Sequence, residues 1–95
     1  MECIAIIKWI RPEDGGRIGK IPFNTEKYAP IIKYNGIRGN WSLIVNNFEL
    51  IDDYTTLAKV CYLSNKKTSD DFYVGLEFEL YEGNKKVAIG TIKSK

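Results

Sequence analysis

Histidine is absent from the 95 residues. That absence removes the side chain best suited to proton transfer near neutral pH and the commonest nitrogen ligand for metals, and most hydrolytic and zinc mechanisms go with it. Cysteine occurs twice, at Cys3 and Cys61, with no CxxC pattern, so neither a zinc site nor a redox motif is written; the two are read as buried thiols rather than a disulfide. No segment approaches the ~20 apolar residues that a membrane-spanning helix needs. Charge of one sign is also scarce. Fourteen basic against 12 acidic residues leave a net of +2, too little for the chain as a whole to bind nucleic acid by bulk electrostatics, so any RNA contact has to come from a local patch.

Hydrophobic residues make up 44% of the chain, which at this length supports one core and one domain over 1–95, without a separate lid or second lobe. The N-terminal run to Ile10 is isoleucine-rich, interrupted by Lys8 and preceded by an acid. It reads as a strand over residues 2–10, not as a signal peptide, and a cytoplasmic location is expected.

From Phe72 to Leu80 every second residue is large and apolar (Phe72, Val74, Leu76, Phe78, Leu80), the period of a half-buried strand. The run breaks at Glu82-Gly83-Asn84-Lys85, where Gly83 and Asn84 are both expected to take positive φ, and a second strand resumes at Val87 to form an antiparallel hairpin. Elsewhere, Pro12 to Gly16 forms a loop, Ile18 to Phe23 a short extended piece before the Asn24-Thr-Glu-Lys27 break, and Tyr28 to Tyr34 a strand whose start or edge is marked by Pro30. Asn35-Gly36 and Gly39-Asn40 bracket a loop, Trp41 to Val45 is a strand closed by Asn46-Asn47, and Thr55 to Leu63 is another, followed by a polar surface loop to Asp71. Residues 48–54 fit a helical turn or a strand-to-loop passage equally well. No sustained 3.6-residue apolar period exists, and the chain is expected to be all-β, a small barrel or sandwich.

Several pieces occur in a familiar order: Glu13-Asp-Gly-Gly-Arg17, Pro22-Phe23, Tyr28-Ala-Pro30 and the closing Phe78-Glu-Leu-Tyr-Glu-Gly-Asn-Lys-Lys-Val-Ala-Ile-Gly90. Over nearly its whole length the chain resembles the third, C-terminal domain of elongation factor Tu. The resemblance implies a six-stranded antiparallel barrel that performs no chemistry. It also implies surfaces for the T-stem backbone of aminoacyl-tRNA, for a nucleotide-binding domain and for an exchange factor. This chain has no Gly-x-x-x-x-Gly-Lys-Ser/Thr loop, so it binds no nucleotide by that motif. The family's tRNA-contacting Arg-Glu-Gly turn maps onto Tyr81, Glu82 and Gly83, with Tyr81 in place of arginine; Ala29 stands where arginine is usual and Ile31 where a polar glutamine is usual.

A non-catalytic binding module follows as the expectation, with no cofactor or metal and no membrane partner. The leading reading is a protein partner, in a translation-related or regulatory role, docking on the Gly-Gly-Arg loop and the final hairpin. The alternatives are tRNA or other RNA held through Arg17, Lys33, Arg38, Lys85 and Lys86, and an inhibitor or immunity-type protein. Arg17 can grip an anion or pin its loop to the barrel, Lys85 and Lys86 can meet phosphate or only water, and Tyr28, Trp41 and Trp9 are expected to cover or enter the core. The paired acids Asp52-Asp53 and Asp70-Asp71 are read as solvated turns.

Overall fold

The chain alternates inward apolar and outward polar side chains through most of its length, and the computed structural model, described for residues 3–23 and 27–95, turns that pattern into six antiparallel strands. They are β1 (Cys3–Trp9), β2 (Ile31–Lys33), β3 (Trp41–Asp52), β4 (Thr55–Tyr62), β5 (Glu77–Glu82) and β6 (Lys85–Ser94). The order β1-β4-β3-β2-β5-β6 returns to β1, so the sheet closes on itself as a barrel. Closure gives most strand backbone two ladders, the arrangement that best satisfies its donors and acceptors. Among the described residues there is no α-helix, only 3-10 turns at Pro12–Asp14 and Ser69–Asp71, and hence no helix long and apolar enough to cross a membrane.

The interior is filled by alternate residues of every strand, among them Ala5, Ile7, Ile32, Leu43, Val45, Val60, Phe78, Leu80 and Ile92. Trp9 is buried as expected, and Tyr28 and Trp41 lie half-buried against the core. Phe78 stands opposite Gly90 in the β5–β6 ladder, and a Cβ on Gly90 would sit 2.3 Å from the ring's Cζ. The glycine is therefore the space that the ring occupies. Cys3 is buried, Cys61 is half-buried, and the two form no disulfide.

One buried polar chain crosses this core. Trp9 Nε1 donates to Thr56 Oγ1 at 2.9 Å, Thr56 Oγ1 donates to Asn47 Oδ1 at 2.7 Å, and Asn47 Nδ2 donates to the Pro22 carbonyl at 2.6 Å. Asn47 was expected to close its strand. With its amide satisfied inside, β3 instead runs on through the unassigned 48–54 stretch to Asp52, with register shifts between Asn47 and Glu49 and between Leu50 and Asp52. Phe48 and Ile51 are the extra residues.

Three further expectations are corrected. The strand expected from Phe72 begins only at Glu77, because Gly75 takes φ 94° and turns the chain; Phe72 and Leu76 stay buried while Val74 is 66% exposed. In the β5–β6 turn only Gly83 has positive φ, at 62°, and Asn84 does not, the sign pattern of a type II′ turn. Of the pieces 18–23 and 28–34, the first contributes a single bridge, Phe23 to Asn47, and the second shortens to β2 because residues 28–30 lie beside β3 through isolated hydrogen bonds. The break expected at Asn24-Thr-Glu falls outside the described residues, as does residue 2.

Candidate binding surface

Gly15 and Gly16 shape the loop that delivers Arg17. Gly15 takes φ 91°, and a Cβ on Gly16 would lie 1.9 Å from the Ile10 carbonyl oxygen, so the backbone can press against the end of β1 only where the side chain is missing. Arg17 then reaches the far end of β5. Its Nε meets Glu82 Oε2 at 2.8 Å, a terminal guanidinium N–H bonds the Lys20 carbonyl, and its Cζ lies 5.4 Å from the centre of the Tyr28 ring. Tyr28 donates its hydroxyl to the same Glu82 oxygen. Burial, then the Glu82 carboxylate, raise the Tyr28 pKa and keep the phenol protonated. Lys85, one residue past the Gly83-Asn84 turn, directs Nζ back to the Gly16 carbonyl at 3.4 Å. Arg17 is thus held at the Glu82-Gly83 end of the hairpin, Lys85 reaches back to the Arg17 loop, and Tyr28 contacts both Arg17 and Glu82.

Lys33, Tyr81 and Lys86 form a second group on the outer face of β2, β5 and β6, where the register sets Lys33 opposite Glu79 and Tyr81 opposite Lys86. Lys33 Nζ lies 5.1 Å from the Tyr81 ring centre, Tyr81 donates to Glu79 at 3.0 Å, and Lys86 Nζ meets Glu79 Oε2 at 3.1 Å. The Lys86 hydrogen bond, seconded by that of Tyr81, holds the Glu79 pKa below its usual value, and Glu79 in turn raises that of Lys86. Arg38 joins neither group. It is exposed in the loop between β2 and β3, where its carbonyl accepts from Trp41 Nε1 at 2.7 Å.

Beside Tyr28 opens a groove of about 300 Å³ lined by Lys27, Tyr28, Ala29, Ile44 and Leu63. The 27–30 segment reaches this place because its carbonyls at Tyr28 and Pro30 accept from Val45 and Leu43 of β3 at 3.0 and 2.8 Å. Leu63 is 59% exposed. Sequence reasoning passed over Ile44, Leu63 and Glu79. The parity of β4 was the available signal, since Ala58, Val60 and Tyr62 face inward and Leu63 therefore faces out.

Neither a family model nor a curated protein matches the chain. Among the described residues no three acids or cysteines are grouped as a metal site would require.

Proposed function

We propose that this chain is a non-catalytic protein-binding module with the barrel of the third domain of elongation factor Tu, acting in the cytoplasm in a translation-related or regulatory role. The observation that carries the reading is the Tyr28 groove, a mainly apolar slot with charged groups beside it: Lys27 in its lining, and Arg17 and Glu82 in contact with Tyr28. That anatomy suits an apolar anchor surrounded by a polar rim. Pairing of two of the five basic candidates favours a protein over RNA, while Lys33, Arg38 and Lys85 join no ion pair among the described residues. Arg17 and Lys86 are bound to Glu82 and Glu79, and a cation already held by a carboxylate contributes little to phosphate neutralisation.

Two measurements test this. Titration against bulk tRNA at low and at physiological salt is expected to show no saturable binding; binding abolished by K85E/K86E would overturn the proposal in favour of RNA. Affinity capture with the wild-type chain and with L63D as baits is expected to recover a protein partner that the variant loses. A partner retained equally by both baits would place docking elsewhere.

A further inference from the structure

A second surface, sharing no lining residue with the groove beside Tyr28, lies along the outer half of β3. From Phe48 to Asp52 every residue is exposed, with Phe48, Leu50 and Ile51 at 41, 53 and 50%. Among the described residues the ladder there has one partner strand: Glu49, Leu50 and Asp52 pair with Leu57, Thr56 and Thr55 of β4, while on the other side the last described partner of β3 is Phe23, opposite Asn47. Along that side runs a groove of about 480 Å³ whose apolar walls are Ile21, Phe23, Leu50 and Tyr54. Lys20 and Asp53 also line it. A strand edge beside an apolar groove is the geometry by which extended peptides are captured, main chain on the edge and alternate side chains in the groove.

Charge selects the occupant. Glu49, Asp52 and Asp53 take part in none of the three ion pairs found among the described residues; Asp52 accepts from the Tyr54 N–H and is also stabilised by Arg11, whose Cζ lies 4.4 Å from the Tyr54 ring centre, and Lys20 lines the groove. An antiparallel second copy would set these acids against their own equivalents, which disfavours self-pairing. A segment carrying lysine or arginine between apolar residues would instead meet carboxylates on the edge and apolar walls in the groove. The shifts at Phe48 and Ile51 twist the ribbon, so the added segment is short. We infer that the outer edge of β3 binds a short, extended, basic and apolar segment of a partner protein by strand addition.

The test titrates the isotope-labelled full chain with a heptapeptide of alternating lysine and valine, following backbone amide shifts and hydrogen exchange. Saturable shifts at residues 48–52 and 19–23, with slowed exchange at 48–52, are expected. Binding should weaken by about tenfold or more in E49K/D53K, and by a similar factor for a glutamate–valine peptide. Equal binding of the two peptides, shifts confined to other residues, or no saturation at millimolar peptide would each overturn the inference. So would concentration-dependent dimerisation through the same amides. L63D serves as a control expected to bind the heptapeptide like the wild type, so that failure here and failure of the Tyr28 groove are distinguishable.

Discussion

In the β5–β6 hairpin, Phe78, Leu80, Val87, Ala88 and Ile92 all enter the interior, and the outward Glu79 and Glu82 are paired with Lys86 and Arg17. In the outer half of the β3–β4 hairpin, Phe48, Leu50 and Ile51 remain on the surface, and Glu49, Asp52 and Asp53 join no ion pair among the described residues. Both are antiparallel ribbons, but residues 48–57 carry Glu49, Asp52 and Asp53 with no lysine or arginine, whereas the β5–β6 hairpin carries Lys85, Lys86 and Lys93 beside its acids. They differ also in what lies beyond each strand: β5 and β6 are flanked by β2 and β1, whereas among the described residues β3 past Asn47 is paired with β4 alone. A ribbon flanked on both sides becomes wall, and its charges are drawn into local pairs. One that projects past its neighbour keeps apolar and acidic groups available to another molecule.

That contrast can be broken most sharply in the interior of the wall. Phe78→Ala is expected to cost about 3–5 kcal/mol in denaturant unfolding, through lost burial and the cavity left behind. Gly90→Ala, which forces a Cβ toward the same ring, is expected to cost about 1–3 kcal/mol. The two are coupled, and the double variant F78L/G90A should be less damaged than the sum of its single changes. Additive costs would show that the ring does not depend on the glycine.

Next in size is the buried polar chain that lets β3 continue past Asn47. Thr56→Val leaves the Trp9 indole N–H and the Asn47 carbonyl oxygen without partners and should destabilise by about 1–3 kcal/mol. Altered Trp9 fluorescence is expected alongside; an unchanged midpoint would mean that water replaces the hydroxyl.

A smaller effect is expected from pH. Glu79 has its pKa lowered in the folded state, mainly by the Lys86 hydrogen bond, so its contribution is fully present above the unfolded-state value and is lost as pH falls through the lower folded one. Stability should therefore decline on acidification into and below the ordinary glutamate range. Lys86→Met should return the Glu79 pKa toward its reference value, as followed by carboxyl NMR; an unmoved titration would assign the shift to Tyr81.

The smallest effect belongs to the projecting ribbon. Leu50→Ser and Ile51→Ser should change stability by within about 0.5 kcal/mol, whereas Leu43→Ala on the same strand should cost about 2–5 kcal/mol. A large loss at Leu50 would mean that the ribbon is packed rather than presented.

Much of the wall was legible because strand parity is a local property: the alternation through Phe78 and Leu80, the Gly83 turn and the Pro30 strand start all read directly from neighbouring residues. Errors arose where one residue changed parity or direction. Gly75 converts the apolar alternation of Phe72 to Leu76 into a turn, and the register shift between Leu80 and Tyr81 leaves both Val87 and Ala88 inside, which an uninterrupted two-residue period cannot describe. Of the candidate site, the convergence of Glu82, Gly83 and Lys85 followed from their adjacency in one turn. Arg17 joined them across 65 residues, and Arg38 was separated from them.

By itself, then, the amino-acid order determined that the chain is β-rich, that it lacks histidine chemistry, and which side chains can face inward on each strand, since these depend on composition and on the two-residue period of extended backbone. Only the tertiary structure decided that Arg17 is held by Glu82, that Glu79 sits among Lys33, Tyr81 and Lys86, and that β3 past Asn47 pairs, among the described residues, with β4 alone. Those relations depend on how strands far apart in sequence are registered against one another, and a period of two is equally satisfied by many registers.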